Sequence, residues 1–344
     1  MTDSKQKSNL LTILKIIIMV GAYGYLTYSL ITFKYYDVLI SSFKLNVGDK
    51  WFLFVAALLL MPINWGLESA KWFTIVRQIQ PYKYFVAYKS VLMGLVSGFF
   101  TPNRICDPIG RVLTLEPENR GGGILLTFVG SLAQSFATCI FLLIAVTFVP
   151  DMPFLSGDED FETLRLCSVV FALIISLLYI TLPLYAPKIG ITKYPKVNRI
   201  LQAVSAIKYK ALSIISVESI VRYAVYCIQY FLMLRFMGVE ISVASAFILI
   251  PINYFLVSVT PSYSFSEIGV RGSYAMVLFG GMGQITDDPI SALNAMAASM
   301  AAVTIWVINY IIPMLVGSWF LAIERRDVKE ETIQMQPRPT ENEK

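Results

Sequence analysis

The chain has 344 residues, 56% of them hydrophobic and only 15% charged, with a mean hydropathy of +0.64 and a net charge of +5. Lipid must be the solvent for most of such a chain. Histidine is absent altogether, which removes the commonest general base and the commonest metal ligand together and excludes histidine-based catalysis.

Apolar stretches of about 20 residues or more, enough to cross a bilayer, cover residues 10–33, 51–75, 121–149, 164–184, 212–236 and 290–321. They predict an all-α, polytopic helical membrane protein with six full spans. The first stretch is too long for a cleaved signal peptide and ends without a small-residue cleavage site. Residues 186–211 carry Lys188, Lys193, Lys196, Arg199, Lys208 and Lys210 and no acid, so the positive-inside rule places them in the cytoplasm. Residues 151–162, which hold Asp158, Glu159 and Asp160 and no Lys or Arg, belong outside.

With Lys5, Lys7 and Lys15 inside, the first span exits and the second returns to Arg77, Lys83 and Lys89. The third full span must start inside to reach the acidic external loop. Residues 84–120 therefore begin and end in the cytoplasm, and the same count makes residues 242–283 begin and end outside. Two re-entrant hairpins of opposite orientation follow, the arrangement of an inverted repeat. A shared pattern supports it: Thr101-Pro102, six residues, Ile109-Gly110 recurs 159 residues later as Thr260-Pro261, six residues, Ile268-Gly269. Pro102, Gly110, Pro261 and Gly269 are the expected hairpin breaks, since Pro and Gly interrupting apolar segments at corresponding places in two halves point to a transport site.

The expected organisation is one transmembrane domain over residues 1–322, with half-repeats of approximately 1–149 and 150–322. Asp288 and Pro289 supply a cap and a first-turn residue for the last span. The polar tail, residues 323–344, contains Pro337 and Pro339, has no apolar period, and is predicted to be disordered and cytoplasmic.

Charge inside a membrane costs roughly 2.5 to 3.5 kcal/mol per central Asp, Lys or Arg on translocon scales, so each such residue needs a reason. Asn64, Glu68 and Lys71 share one helical face of the second span. Either Glu68 and Lys71 cancel each other or they meet a charged substrate. Arg104, Asp107 and Arg111 surround the first break; the arginines either clamp a phosphate or snorkel to headgroups. Glu267 and Arg271 follow the second break, and Arg222 lies in the fifth span near Tyr223 and Tyr226. Pairing of Glu267 with Arg271, and of Glu218 with Arg222, at i and i+4 is the purely structural alternative. Cys106, Cys139, Cys167 and Cys227 show no ligand or disulfide spacing, and Gly121 to Gly123, without a following Lys-Ser/Thr, form no P-loop.

The runs Asn64-Trp-Gly-Leu-Glu68-Ser-Ala-Lys71-Trp72, Gly98-Phe-Phe-Thr-Pro102-Asn-Arg104 with Gly110-Arg111, and Thr260-Pro261-Ser-Tyr-Ser with Ile268-Gly269-Val-Arg271 resemble the membrane region of the lysylphosphatidylglycerol synthase/flippase family. The resemblance covers nearly the whole chain. It implies movement of aminoacylated or other phospholipids, or of polyprenyl-linked sugars, across the bilayer. Two departures stand out: Asp107-Pro108 replaces the family's Gly-Glu pair after the first Pro, and Gly272 replaces the Glu after the second Gly-Val-Arg. Glu267 is the available substitute for that second acid.

The expectation is thus a flippase-like carrier in the cytoplasmic membrane of a bacterium, multi-pass, with both termini cytoplasmic. Its expected binding residues are Asn64, Glu68, Lys71, Arg104, Asp107, Arg111, Arg222, Glu267 and Arg271. Membrane lipids are its partners, with a lipid-synthesising enzyme as a further partner class and no nucleic acid, cofactor or metal. The rivals are a membrane-embedded transferase using Asp107 or Glu267 as base, and a non-transporting envelope scaffold.

Overall fold

The computed structural model describes residues 35–99, 101, 104–148, 159–189, 195–260, 266–280 and 289–335, with isolated positions between 24 and 31. Among the described residues the chain is helical and contains no strand. In order run α1 (Tyr36–Asp49), α2 (Trp51–Val76), α3 (Tyr84–Phe99), α4 (Asp107–Val112), α5 (Arg120–Phe148) and α6 (Glu159–Ile189). There follow α7 (Pro195–Ser205), α8 (Tyr209–Phe236), α9 (Val243–Val259), α10 (Ser266–Phe279), α11 (Pro289–Trp306), a π turn (Val307–Ile311) and α12 (Ile312–Met335).

Five stretches are long and apolar enough to cross a membrane: Trp51–Val76, Arg120–Phe148, Arg165–Tyr185, Tyr209–Phe236 and Pro289–Ile323. They coincide with five of the six expected spans and give the chain the make-up of an integral membrane protein. The sixth expected span, residues 10–33, lies almost wholly outside the described residues, as do Pro102, Pro261 and Asp288. The fewest buried residues belong to the Arg165–Tyr185 stretch, which exposes Leu166, Leu173, Leu177 and Leu178 as a lipid-facing surface requires.

Packing is reciprocal between the halves. The central pair is α2 against α8. The short helix α3 packs on α12, the last helix of the second half, while α9 packs on α5, the last long helix of the first half. Glycines allow the first short pair to close tightly. A Cβ at Gly110 would collide with the Met93 carbonyl and Ser97 Oγ, and one at Gly94 would lie 2.5 Å from Asp107 Oδ1, so α3 and α4 approach at backbone distance.

Three elements differ from the sequence expectation. Helix α1 was not expected; its Leu39 is buried and its Phe43 meets Phe236 edge-on at 5.9 Å, covering the end of α8. Helix α7 forms within the basic stretch 186–211 and covers the glycines that open α5, with Ile200 against Gly121 and Ala203 against Gly122. Helix α12 also runs past residue 323, where the polar tail was expected to begin, as far as Met335. Residues 336–344 lie outside the described part.

Candidate functional site

All nine candidate binding residues converge. A cavity of about 450 Å³ is lined by Glu68, Lys71, Arg104, Asp107, Arg111, Arg222, Glu267 and Arg271, together with polar side chains of α5. Asn64 lines a smaller, adjoining chamber that shares Arg104, Arg222 and Arg271.

Glu68 is the hub of the first half. Its Oε2 lies 2.7 Å from Lys71 Nζ and 3.2 Å from Arg222 Nη1, and its Oε1 accepts from Arg111 Nη1 at 2.8 Å. Lys71 is 2% exposed, Glu68 6% and Arg111 8%. Three cations on one buried carboxylate exceed a simple Glu68–Lys71 cancellation. Arg111 Nε also donates to Asp107 Oδ2 at 2.8 Å, so this guanidinium joins two acids from two helices and does not snorkel outward. Arg222 donates through Nε to Asn64 Oδ1 and through Nη1 to Gln134 Oε1, both at 2.9 Å. The expected Glu218–Arg222 pair does not form: Glu218 accepts from Thr74 Oγ1 instead.

Glu267 is the hub of the second half. Its Oε2 accepts from Arg104 Nη2 at 3.1 Å and from Trp306 Nε1 at 2.7 Å, and Arg271 Nη2 lies 3.6 Å from Oε1. The expected i, i+4 pair with Arg271 therefore forms as one part of a larger set. Arg104 has a left-handed φ of 57°, a conformation that costs a bulky residue roughly 1–3 kcal/mol unless its surroundings hold it. They do: its guanidinium carbon sits 3.8 Å from the centre of the Tyr310 ring, and Thr101 Oγ1 accepts from the Cys106 amide at 3.2 Å across the turn. Gly269 is buried in the first turns of α10.

Aromatic faces back each of three arginines: Tyr310 under Arg104, Trp72 at 6.0 Å from Arg111, and Trp65 at 5.4 Å from Arg222. Trp65 also donates to the Asn309 carbonyl at 3.1 Å, a group inside the π turn. That turn places Asn309 and Tyr310 on the chamber wall; π turns inside helices often mark functional positions.

Sequence reasoning missed Gln134, Trp306, Asn309 and Tyr310. Their signal was present as polar or amphipathic residues at helical spacing inside apolar spans, Ser131, Gln134, Ser135 and Thr138 on one helix and Trp306, Asn309 and Tyr310 on another.

The main cavity is lined by five cations, Lys71, Arg104, Arg111, Arg222 and Arg271, against three carboxylates, Glu68, Asp107 and Glu267. Two positive charges are in excess. In a space walled by apolar helices such an excess attracts an anion far more strongly than it would in water, and guanidinium groups suit the planar or tetrahedral oxygens of carboxylate and phosphate. No protein-family model, no curated protein and no solved structure matches this chain.

Proposed function

We propose that the chain is a flippase-like carrier that moves an anionic or zwitterionic lipid headgroup, of a phospholipid or a polyprenyl-linked lipid, across the cytoplasmic membrane of a bacterium. The observation that carries this reading is the excess of two positive charges in a polar cavity of about 450 Å³ set among membrane-length apolar helices. Intramembrane charge at this density costs too much to persist without a ligand or pathway to serve.

In this reading α3 with α4 and α9 with α10 are the two re-entrant hairpins, entering from opposite faces, and both termini are cytoplasmic. Support comes from the reciprocal packing of α3 on α12 and α9 on α5, which a two-fold axis in the membrane plane generates. Arg104, Arg111, Arg222 and Arg271 take the lipid phosphate, while Glu68 and Glu267 face cationic parts of the headgroup. The resemblance to the lysylphosphatidylglycerol synthase/flippase membrane region points the same way, and a lipid-synthesising enzyme is the partner such a carrier serves.

The test is reconstitution in vesicles carrying headgroup-labelled lipids, comparing the natural chain with Arg111→Ala combined with Arg271→Ala. Translocation of one lipid class that collapses in the double variant is expected. Unchanged translocation in the double variant sinks the site assignment, and no translocation of any lipid by the natural chain favours the scaffold reading.

A further inference from the structure

One half-buried acid is not used by the site. Glu218 stands on α8 one helical turn before Arg222, yet Arg222 is held by Glu68, Asn64 and Gln134. Glu218 Oε1 accepts a single bond, from Thr74 Oγ1 at 3.3 Å, and Oε2 is buried with no hydrogen-bond partner. Among the described residues no Lys or Arg nitrogen lies within the 4.0 Å of an ion pair.

The groups that face it do not compensate a negative charge. From α2 come Thr74, Lys71 and Glu68, and the Lys71 amine is already taken by Glu68 at 2.7 Å. From α6 comes Tyr179, whose hydroxyl is engaged with Leu212 O and Ser216 Oγ at 3.0 Å each. From α3 comes Tyr84, whose hydroxyl donates to Gly66 O. An ionised carboxylate left unpaired inside a membrane-spanning helix is costly, and a proton removes the cost.

We propose that Glu218 is a proton-binding site that couples the charged cavity to a proton gradient. A proton on the unpartnered Oε2 makes a neutral acid, which leaves Arg222 and Lys71 on Glu68. Loss of that proton creates a second carboxylate, one turn from Arg222 on α8 and bonded to Thr74, which lies three residues after Lys71 on α2, competing with Glu68 for both cations and loosening the hub that binds the headgroup. The inference rests on the carrier reading and supplies its energy source.

Its experiment uses the reconstituted full chain with an imposed pH difference. One proton per lipid predicts a steady-state lipid ratio across the bilayer that shifts about tenfold per unit of pH difference. Glu218→Gln, the shape of the neutral acid, is expected to keep translocation and lose the shift. A natural chain that moves lipid with no response to the gradient, or a Gln variant that responds as the natural chain does, overturns the proposal and leaves the carrier intact. Infrared difference spectra of the purified protein give a readout independent of transport. A carboxylic-acid carbonyl band growing with acid, absent in Glu218→Gln and displaced in Thr74→Val, is expected. The same band unaltered in both variants overturns the proton site whether or not any lipid moves.

Discussion

Arg104 and Glu267 tie the two copies of the repeated Thr-Pro pattern together, Nη2 to Oε2 at 3.1 Å. Arg104 follows Pro102 by two residues and Glu267 follows Pro261 by six, so the contact spans the two halves where each apolar segment is broken. In a carrier that alternates between faces, a link of this kind belongs to one state and opens in the other. Glu267 also holds Arg271 and Trp306, which makes it the more sensitive end. Glu267→Gln is expected to destabilise by about 3 kcal/mol, because it strands two guanidinium groups. Arg104→Gln is expected to cost less, since that side chain is one-third exposed. A double-mutant cycle read by thermal unfolding in detergent should return a coupling of about 0.5–3 kcal/mol; additive effects mean the contact does not tie the halves.

Among the described residues, Glu68 holds more cations than any other acid, namely Lys71, Arg111 and Arg222. Its removal leaves Lys71, Arg111 and Arg222 buried without their shared partner, and Glu68→Ala should lower stability by at least about 3–5 kcal/mol. Lys71→Met is expected to be milder, because two arginines still satisfy the carboxylate. Melting temperatures of the two variants that fall together would show that Glu68 is not the hub.

Much of this was legible in the chain and some was not, for physical reasons. The spans at α2, α5, α8 and the α11 region announce themselves by length and hydropathy, and the charged residues announce the site because lipid makes each of them expensive. What a helical period does not give is the partner. Glu218 and Arg222 have ideal i, i+4 spacing, but Glu68 across the α2–α8 contact offers Arg222 a charge already held by two further cations. Gly121 and Gly122 carry no signal of their partners, Ile200 and Ala203 of α7, which lie about 80 residues along the chain. Helix α1 was hidden because Asp37, Lys44, Asn46 and Asp49 interrupt its apolar residues, and its partner Phe236 lies far along the chain.

The close packing of α3 and α4 predicts an asymmetric response to alanine. At Gly110 a methyl group meets backbone, the Met93 carbonyl, so Gly110→Ala must spread the pair and should cost about 1–3 kcal/mol by overpacking. Gly48, within α1, has nothing within 4 Å of the added carbon; Gly48→Ala should stabilise by roughly 0.5–1 kcal/mol through helix propensity. Unfolding midpoints that move the same way in both variants would contradict the backbone-distance packing.

Thiol labelling decides the re-entrant reading directly. Lys83 precedes α3 and Glu116 follows α4, and both are exposed. If α3 and α4 form a hairpin that enters and leaves by one face, Lys83→Cys and Glu116→Cys react with a membrane-impermeant maleimide from the same side. Two separate crossings would place them on opposite sides. Glu240, before α9, and Ile290, at the start of α11, frame the second pair in the same manner. Opposed hairpins require Glu240→Cys and Ile290→Cys to react together from the other face. Intact cells and permeabilised cells supply the two accessibilities, in a background with Cys106, Cys139, Cys167 and Cys227 replaced by Ser. Labelling of Lys83→Cys and Glu240→Cys from one common face removes the inverted repeat, because a two-fold axis in the membrane plane must exchange inside for outside.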